Sequence, residues 1–137
     1  MRDQRIVTAA RWLFGLFYFT TGVAIFLYTI FGIGSPPKQP TPEAAEFTLA
    51  LSASHFIDPL LSLSYLVGGG ALLLRRSAPL GILVLAPVVL GIFCFHLVLS
   101  GQWLWGSINL FWLLALAWNY RSAFSPLWNY PARSQLP

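Results

Sequence analysis

Few residues of this chain can do acid–base, metal-ligand or nucleophile chemistry. Its imidazoles, carboxylates and thiols are two histidines (His55 and His96), four acids (Asp3, Glu43, Glu46 and Asp58) and a single cysteine, Cys94, in 137 residues. His96 is the most informative, because it lies inside an apolar run where an ionisable side chain must find a partner and is a functional candidate by default. The turn after that run fixes its neighbours. Residues equidistant from a hairpin turn lie at the same depth, and the midpoint of His96 and Asn109 falls between Gln102 and Trp103, where the turn is expected. Asn109 is therefore expected level with His96 and able to satisfy one ring nitrogen. His55 and Asp58 flank the start of another apolar run, and Glu46 precedes them. Glu46, His55, Asp58, His96 and Asn109 form the candidate set for ligand binding or proton relay. No catalytic residue is assigned.

Each candidate also has a purely structural reading. Asp58-Pro59 suits a helix N-cap followed by proline at the first helical position. Glu46 and His55 can simply face water or lipid headgroups. His96 with Asn109 can be interhelical glue worth roughly 1 kcal/mol. No His-Glu-x-x-His and no i,i+4 histidine pair is present, so no metal site is expected. Cys94 and His96 are two apart and fall on different helix faces, which argues against a thiolate–imidazole couple. Cys94 is expected to be a buried apolar residue.

The elements that must position these side chains follow from composition. Hydrophobic residues make up 57% of the chain and charged residues 9%, where a soluble domain carries roughly a quarter charged. A water-solvated surface is excluded, and with it a basic nucleic-acid face, so no nucleic-acid partner is expected. The fold class expected is all-α: an integral membrane antiparallel four-helix bundle in one domain, with the lipid bilayer as its surroundings. Four apolar stretches, at about 12–33, 57–74, 79–99 and 102–120, are long enough to cross a hydrocarbon core of about 30 Å as helices. The first is too long for the apolar core of a secretory signal. The loop between the first two opens with SPPKQPTPE, whose four prolines forbid a helix. It continues as a segment over 43–56 (EAAEFTLALSASHF), read as a short interfacial helix with Phe47, Leu51 and Phe56 on its apolar face. The remaining turns are short, so consecutive helices are antiparallel neighbours.

Orientation follows from the basic residues. With four spans, Arg2, Arg5, Arg11, Arg75, Arg76, Arg121 and Arg133 fall on one side, and only Lys38 on the other. Seven against one places both termini in the cytoplasm by the positive-inside rule. Trp12, Trp118 and Tyr120 then sit at the inner boundary and Trp103 and Trp105 at the outer one. Lipid tails are as apolar as leucine, so the helices must associate through small residues and a few hydrogen bonds. Gly15, Gly22 and Thr29 recur every seven residues on the first helix, and Ser62, Tyr65 and Gly69 share a face on the second with Ser64 and Gly68 beside it; both read as seams for close helix approach. Gly68-Gly69-Gly70 lacks the Lys-Ser/Thr of a phosphate loop and reads as packing. Pro87 removes one backbone bond from the third helix and is expected to kink it.

The run LAPVVLGIFCFH over 85–96, the tryptophan-rich segment ending LALAWNYRSAFSPLW, and the opening RWLFGLFYFTTG with its Arg-x-x-x-Gly start resemble DoxX-like membrane proteins. PTPEAAEF followed by GGGALLLRR fits that family's second-helix pattern, so the resemblance spans nearly the whole chain. It implies a four-helix bundle of the bacterial plasma (inner) membrane, at most a small subunit of a membrane oxidoreductase. Such relatives are associated with thiosulfate oxidation into the quinone pool or with thiol-redox assemblies. The single Cys94 departs from any relative that works through a dithiol.

The leading expectation is a non-catalytic or accessory subunit that binds a quinone-like apolar ligand in an outer-leaflet pocket. In it His96 bonds a quinone oxygen, Asn109 fixes the ring tautomer, and Asp58 or His55 relays protons. No intrinsic cofactor is expected, because nothing binds haem, flavin or an iron–sulfur cluster; quinone is the candidate ligand, and a redox centre would belong to a partner protein. The alternative is a structural membrane adaptor or assembly factor that docks a partner through its arginine-bearing side and the Trp128/Tyr130 tail, without ligand chemistry. Homo-oligomerisation is open. A transporter reading lacks an inverted repeat or intramembrane charge pair.

Overall fold

The computed structural model describes residues 2–129, which form six helices and no strand among them. Tyr130 and Arg133, invoked above for docking and orientation, lie outside the described residues. Helix α1 spans Arg2–Phe31, α2 Pro42–Ala53, α3 Ile57–Leu73, α4 Ala78–Val98, α5 Trp103–Asn119 and α6 Arg121–Trp128. The four apolar stretches thus become α1, α3, α4 and α5. The first helix begins ten residues before the expected boundary, because RDQRIVTAAR contains no breaker and continues the helix beyond its apolar part. The expected segment over 43–56 forms α2 but stops at Ala53.

Two of these helices, α1 and α4, are long and apolar enough to cross a membrane. Helices α3 and α5 have 17 residues each, or about 26 Å at 1.5 Å per residue. All four carry large apolar side chains outward: Leu13 and Leu16 on α1, Leu60 and Leu63 on α3, Leu83 and Leu90 on α4, Phe111 and Leu114 on α5. The interior packs aromatic Phe14, Tyr18 and Tyr65 with aliphatic Leu72, Ile82, Leu85, Val89, Leu113 and Leu116. An exterior this apolar has no stable arrangement in water.

Helix α3 lies between α1 and α4, and glycine sets both approaches. A Cβ at Gly69 would stand 2.5 Å from the Phe19 nitrogen and 2.8 Å from the Gly15 carbonyl, and one at Gly81 would stand 2.6 Å from the Gly68 carbonyl. Ser62 Oγ donates to the Gly22 carbonyl across the first seam at 2.9 Å. The seam read from Gly15, Gly22, Ser62, Tyr65 and Gly69 is therefore the real α1–α3 contact. Helix α5 packs on α4, where Gly106 leaves room for the His96 Cβ. It meets α1 through aromatic contacts, Phe14 with Trp112 at 5.4 Å and Phe17 with Trp105 at 5.9 Å. Helix α4 runs unbroken through Pro87.

One end of the bundle collects the start of α1, the α3–α4 turn and the end of α5. Gln4, Thr8, Arg75, Asn119 and Tyr120 line one cleft there of about 220 Å³. Arg11, only 4% exposed, donates from its guanidinium to the Leu72 carbonyl, and Ser77 Oγ donates to the Ala71 carbonyl at 2.9 Å. Together they cap two last-turn carbonyls of α3, Leu72 and Ala71, the latter also accepting from the Leu74 N–H at 3.3 Å.

The opposite end is closed by α2. Thr41 caps it by accepting from the Ala44 N–H at 3.2 Å, with Pro42 at the first position. The same hydroxyl donates to the Leu99 carbonyl at 2.7 Å, fastening α2 to the end of α4. Helices α2 and α3 meet at 93°. His55 makes that corner with φ +60, a conformation that favours glycine and costs an L residue roughly 1–2 kcal/mol. Asp58 is not the N-cap expected of it. It lies inside the first turn of α3, and Ser54 Oγ takes the capping role by accepting from the Ile57 N–H at 3.3 Å.

Candidate functional site

Between α1, α3, α4 and α5, under α2 and the proline-rich loop, lies a cavity of about 720 Å³. That is within the range of small-molecule sites. Its wall is mostly apolar: Phe17 and Ile25 from α1, Phe47 and Leu51 from α2, Leu61 from α3, Val88, Ile92 and Phe95 from α4, and Trp105 from α5. The space opens where α1 and α5 meet through Phe17–Trp105 and Tyr18–Asn109, while glycine seams hold α3 tight against its two neighbours. The α2 lid is held by Phe47 stacked 5.9 Å from Phe95 and by the Thr41 bond to Leu99.

Two polar groups of the interior are tied off within the protein. The Tyr18 hydroxyl donates to Asn109 Oδ1 at 3.0 Å, and Asn109 Nδ2 donates to the Trp105 carbonyl at 2.9 Å. A third, Tyr65, is 6% exposed, with its ring 5.2 Å from that of Tyr18. Every fully buried side-chain nitrogen and oxygen among the described residues has a hydrogen-bond partner. The Tyr65 hydroxyl has none among them, so it opens onto the cavity that Tyr65 lines.

His96 lies on the cavity wall nearer α2. Its Nδ1 is 2.7 Å from Ser100 Oγ, and the Gln102 N–H also donates to that oxygen at 3.3 Å. Ser100 is itself buried at 4% exposure. Whichever of the two carries the shared proton, the Ser100 bond orients the imidazole and leaves Nε2 without a protein partner among the described residues. Thr21, Lys38, Gln39, Thr48 and Gln102 complete the polar part of the lining among the described residues.

Of the five residues singled out in the sequence, His96 and Asn109 reach one cavity, and the other three do not. Glu46 is exposed on α2, His55 is exposed at the α2–α3 corner, and Asp58 is half-buried in the first turn of α3; none of them lines the space. The expected His96–Asn109 bond is not formed. The two residues do share a region of the α4–α5 seam, since His96 packs on Gly106, one turn from Asn109. However, Tyr18 reaches the Asn109 amide first, and Ser100, four residues along the same helix turn, reaches the His96 ring. Cys94 corrects a second expectation: it is exposed on the outer surface of α4, because its helix position points away from the α3 and α5 seams.

Tyr18, Tyr65 and Ser100 were missed as site residues. The sequence signal for the two tyrosines is that a phenol in an apolar span needs a partner as a histidine does. Among the described residues no three His, Cys, Asp or Glu side chains cluster closely enough to hold a metal ion. No known protein family, curated protein or solved structure matches this chain.

Proposed function

We propose that this chain is a four-helix integral membrane protein that binds a quinone-like apolar ligand in the cavity under α2, as a small accessory subunit of a membrane redox system. The carrying observation is the cavity itself: about 720 Å³ walled by aromatic and aliphatic side chains, with His96 oriented by Ser100 and its second nitrogen unspent. A flat apolar ring bearing hydrogen-bond acceptors suits such a wall. His96 would contact the ligand, while Asn109 acts through Tyr18 and holds α5 to α1. Nothing in the wall supplies a redox centre, so electrons would pass between the ligand and a partner protein.

In this reading α3 and α5 also span, their short lengths being met by local thinning and by the flanking Trp103 and Trp118. The arginine-bearing end faces the cytoplasm of a bacterial cell, both termini lie there, and the cavity opens in the outer leaflet. His96→Ala tests the site directly. The expected result is unchanged abundance in the membrane with loss of bound ligand and of electron flow to the quinone pool. A variant that only lowers abundance would reduce His96 to packing.

A further inference from the structure

Among the described residues, Tyr65 is the one side chain of the cavity that is deeply buried, polar and without a hydrogen-bond partner. Its position is fixed at both ends. Its Cβ faces Gly22 across the α1–α3 seam, since a Cβ on that glycine would stand 2.9 Å away. Its ring rests 5.2 Å from Tyr18, whose own rotation is locked by the bond to Asn109. The Tyr65 hydroxyl therefore cannot swing to a protein acceptor. Tyr18 cannot take its place, because that proton is already given to Asn109 Oδ1. A phenylalanine would pack in the same space, so what the oxygen adds is one donor, opening onto the cavity and free for whatever occupies it.

We infer that the Tyr65 hydroxyl donates a hydrogen bond to an acceptor oxygen on the cavity's ligand, making Tyr65 a specificity-determining residue beside His96. The inference rests on the ligand-binding reading given above and narrows it. The two contacts come from different helices, Tyr65 from the middle of α3 and His96 from the outer end of α4. They select a ring with acceptors at two separated points over a hydrocarbon or a single-headed lipid tail. Tyr65 reads the inner oxygen, and His96 reads the one nearer the α2 lid in the tautomer in which Ser100 Oγ–H donates to Nδ1 and Nε2 carries the ring proton.

Two tail-matched probes test this on the purified full chain in micelles: a decyl-substituted benzoquinone and decylbenzene. Binding is followed by calorimetry. Tyr65→Phe keeps the ring and its packing and removes only the oxygen. The expected result is about a tenfold loss of quinone affinity, equivalent to ~1.4 kcal/mol, with decylbenzene affinity unchanged. Equal quinone affinity in wild type and Tyr65→Phe overturns the inference and leaves the pocket reading standing. Wild-type protein that binds neither probe, or binds both equally, overturns the pocket reading and the inference together. Should Tyr65→Phe fail to accumulate, the infrared C=O stretches of the quinone bound to wild type give a second readout. Both bands lowered relative to the micelle is the expected result, and one band left at the free frequency overturns the inference.

Discussion

Gly69→Ala and Gly70→Ala place one methyl group at successive positions of α3, and the structure gives them opposite consequences. At Gly69 the added carbon would stand 2.5 Å from the Phe19 nitrogen and 2.8 Å from the Gly15 oxygen, where ordinary contact begins at 3.4 Å. Both neighbours are backbone atoms, so no side chain can rotate away and α1 and α3 must part by roughly 1 Å. Overpacking of this kind costs about 1–3 kcal/mol, and because the seam runs along the whole helix pair the upper part of that range applies. Replacing glycine in a helix returns about 0.5–1 kcal/mol, leaving a net loss of about 1–2.5 kcal/mol. At Gly70 the added carbon meets only the edge of the Phe19 ring, at 3.6 and 3.7 Å, so the helix-forming gain is kept and stability rises by about 0.5 kcal/mol. Reversible unfolding by sodium dodecyl sulfate in mixed micelles, followed by helical signal, measures both. Equal stability of Gly69→Ala and wild type, or equal loss from the two substitutions, would refute the seam as the device that holds α1 to α3.

Tyr18→Phe leaves the buried Asn109 Oδ1 without its donor and should cost about 1–3 kcal/mol in the same titration; no change would mean that the Tyr18–Asn109 bond does not join α1 to α5. Arg11→Met removes a charged donor from the Leu72 carbonyl and should cost about 1.5–3 kcal/mol, with Arg11→Lys recovering part of it; full stability in Arg11→Met would show that this residue only orients the chain. In a Cys94→Ala background, Lys38→Cys should react with a membrane-impermeant maleimide added to intact cells, and Arg76→Cys only after lysis. The reverse pattern would invert the topology.

What was legible in the sequence, and what was not, divides by the range of the interactions. Helix boundaries for α3, α4 and α5 follow from local signals: proline-rich and Ser-Gly turns, and apolar runs of the right length. The α1–α3 seam was legible because small residues repeat at helical spacing, Gly15 and Gly22 against Ser62 and Gly69, and each seam is local to one pair of helices. The hairpin argument brought His96 and Asn109 to one region for the same reason. It failed to pair them because hydrogen-bond choice depends on competitors from elsewhere: Tyr18, 91 residues before Asn109 in the chain, and Ser100 on the turn itself. Asp58 does not cap α3 because the α2–α3 corner at His55, with its positive φ, starts the helix at Ile57, two residues before the Pro59 start that the Asp-Pro signal suggests, and Ser54 accepts from the Ile57 N–H. The lid formed by α2 rests on Thr41 reaching Leu99 across 58 residues, and no periodicity encodes that contact. Arg11 illustrates the same limit, since one arginine can both count toward orientation and sit buried as a helix cap.

The most direct measurement is native mass spectrometry of the protein released gently from the membrane in which it was made, because it weighs bound small molecules and bound proteins together. A stoichiometric adduct of quinone-like mass, retained through mild activation and lost in His96→Ala, is the expected result. A chain that carries only exchangeable lipid, or a clean protein partner with no adduct, would contradict a ligand held in the cavity under α2.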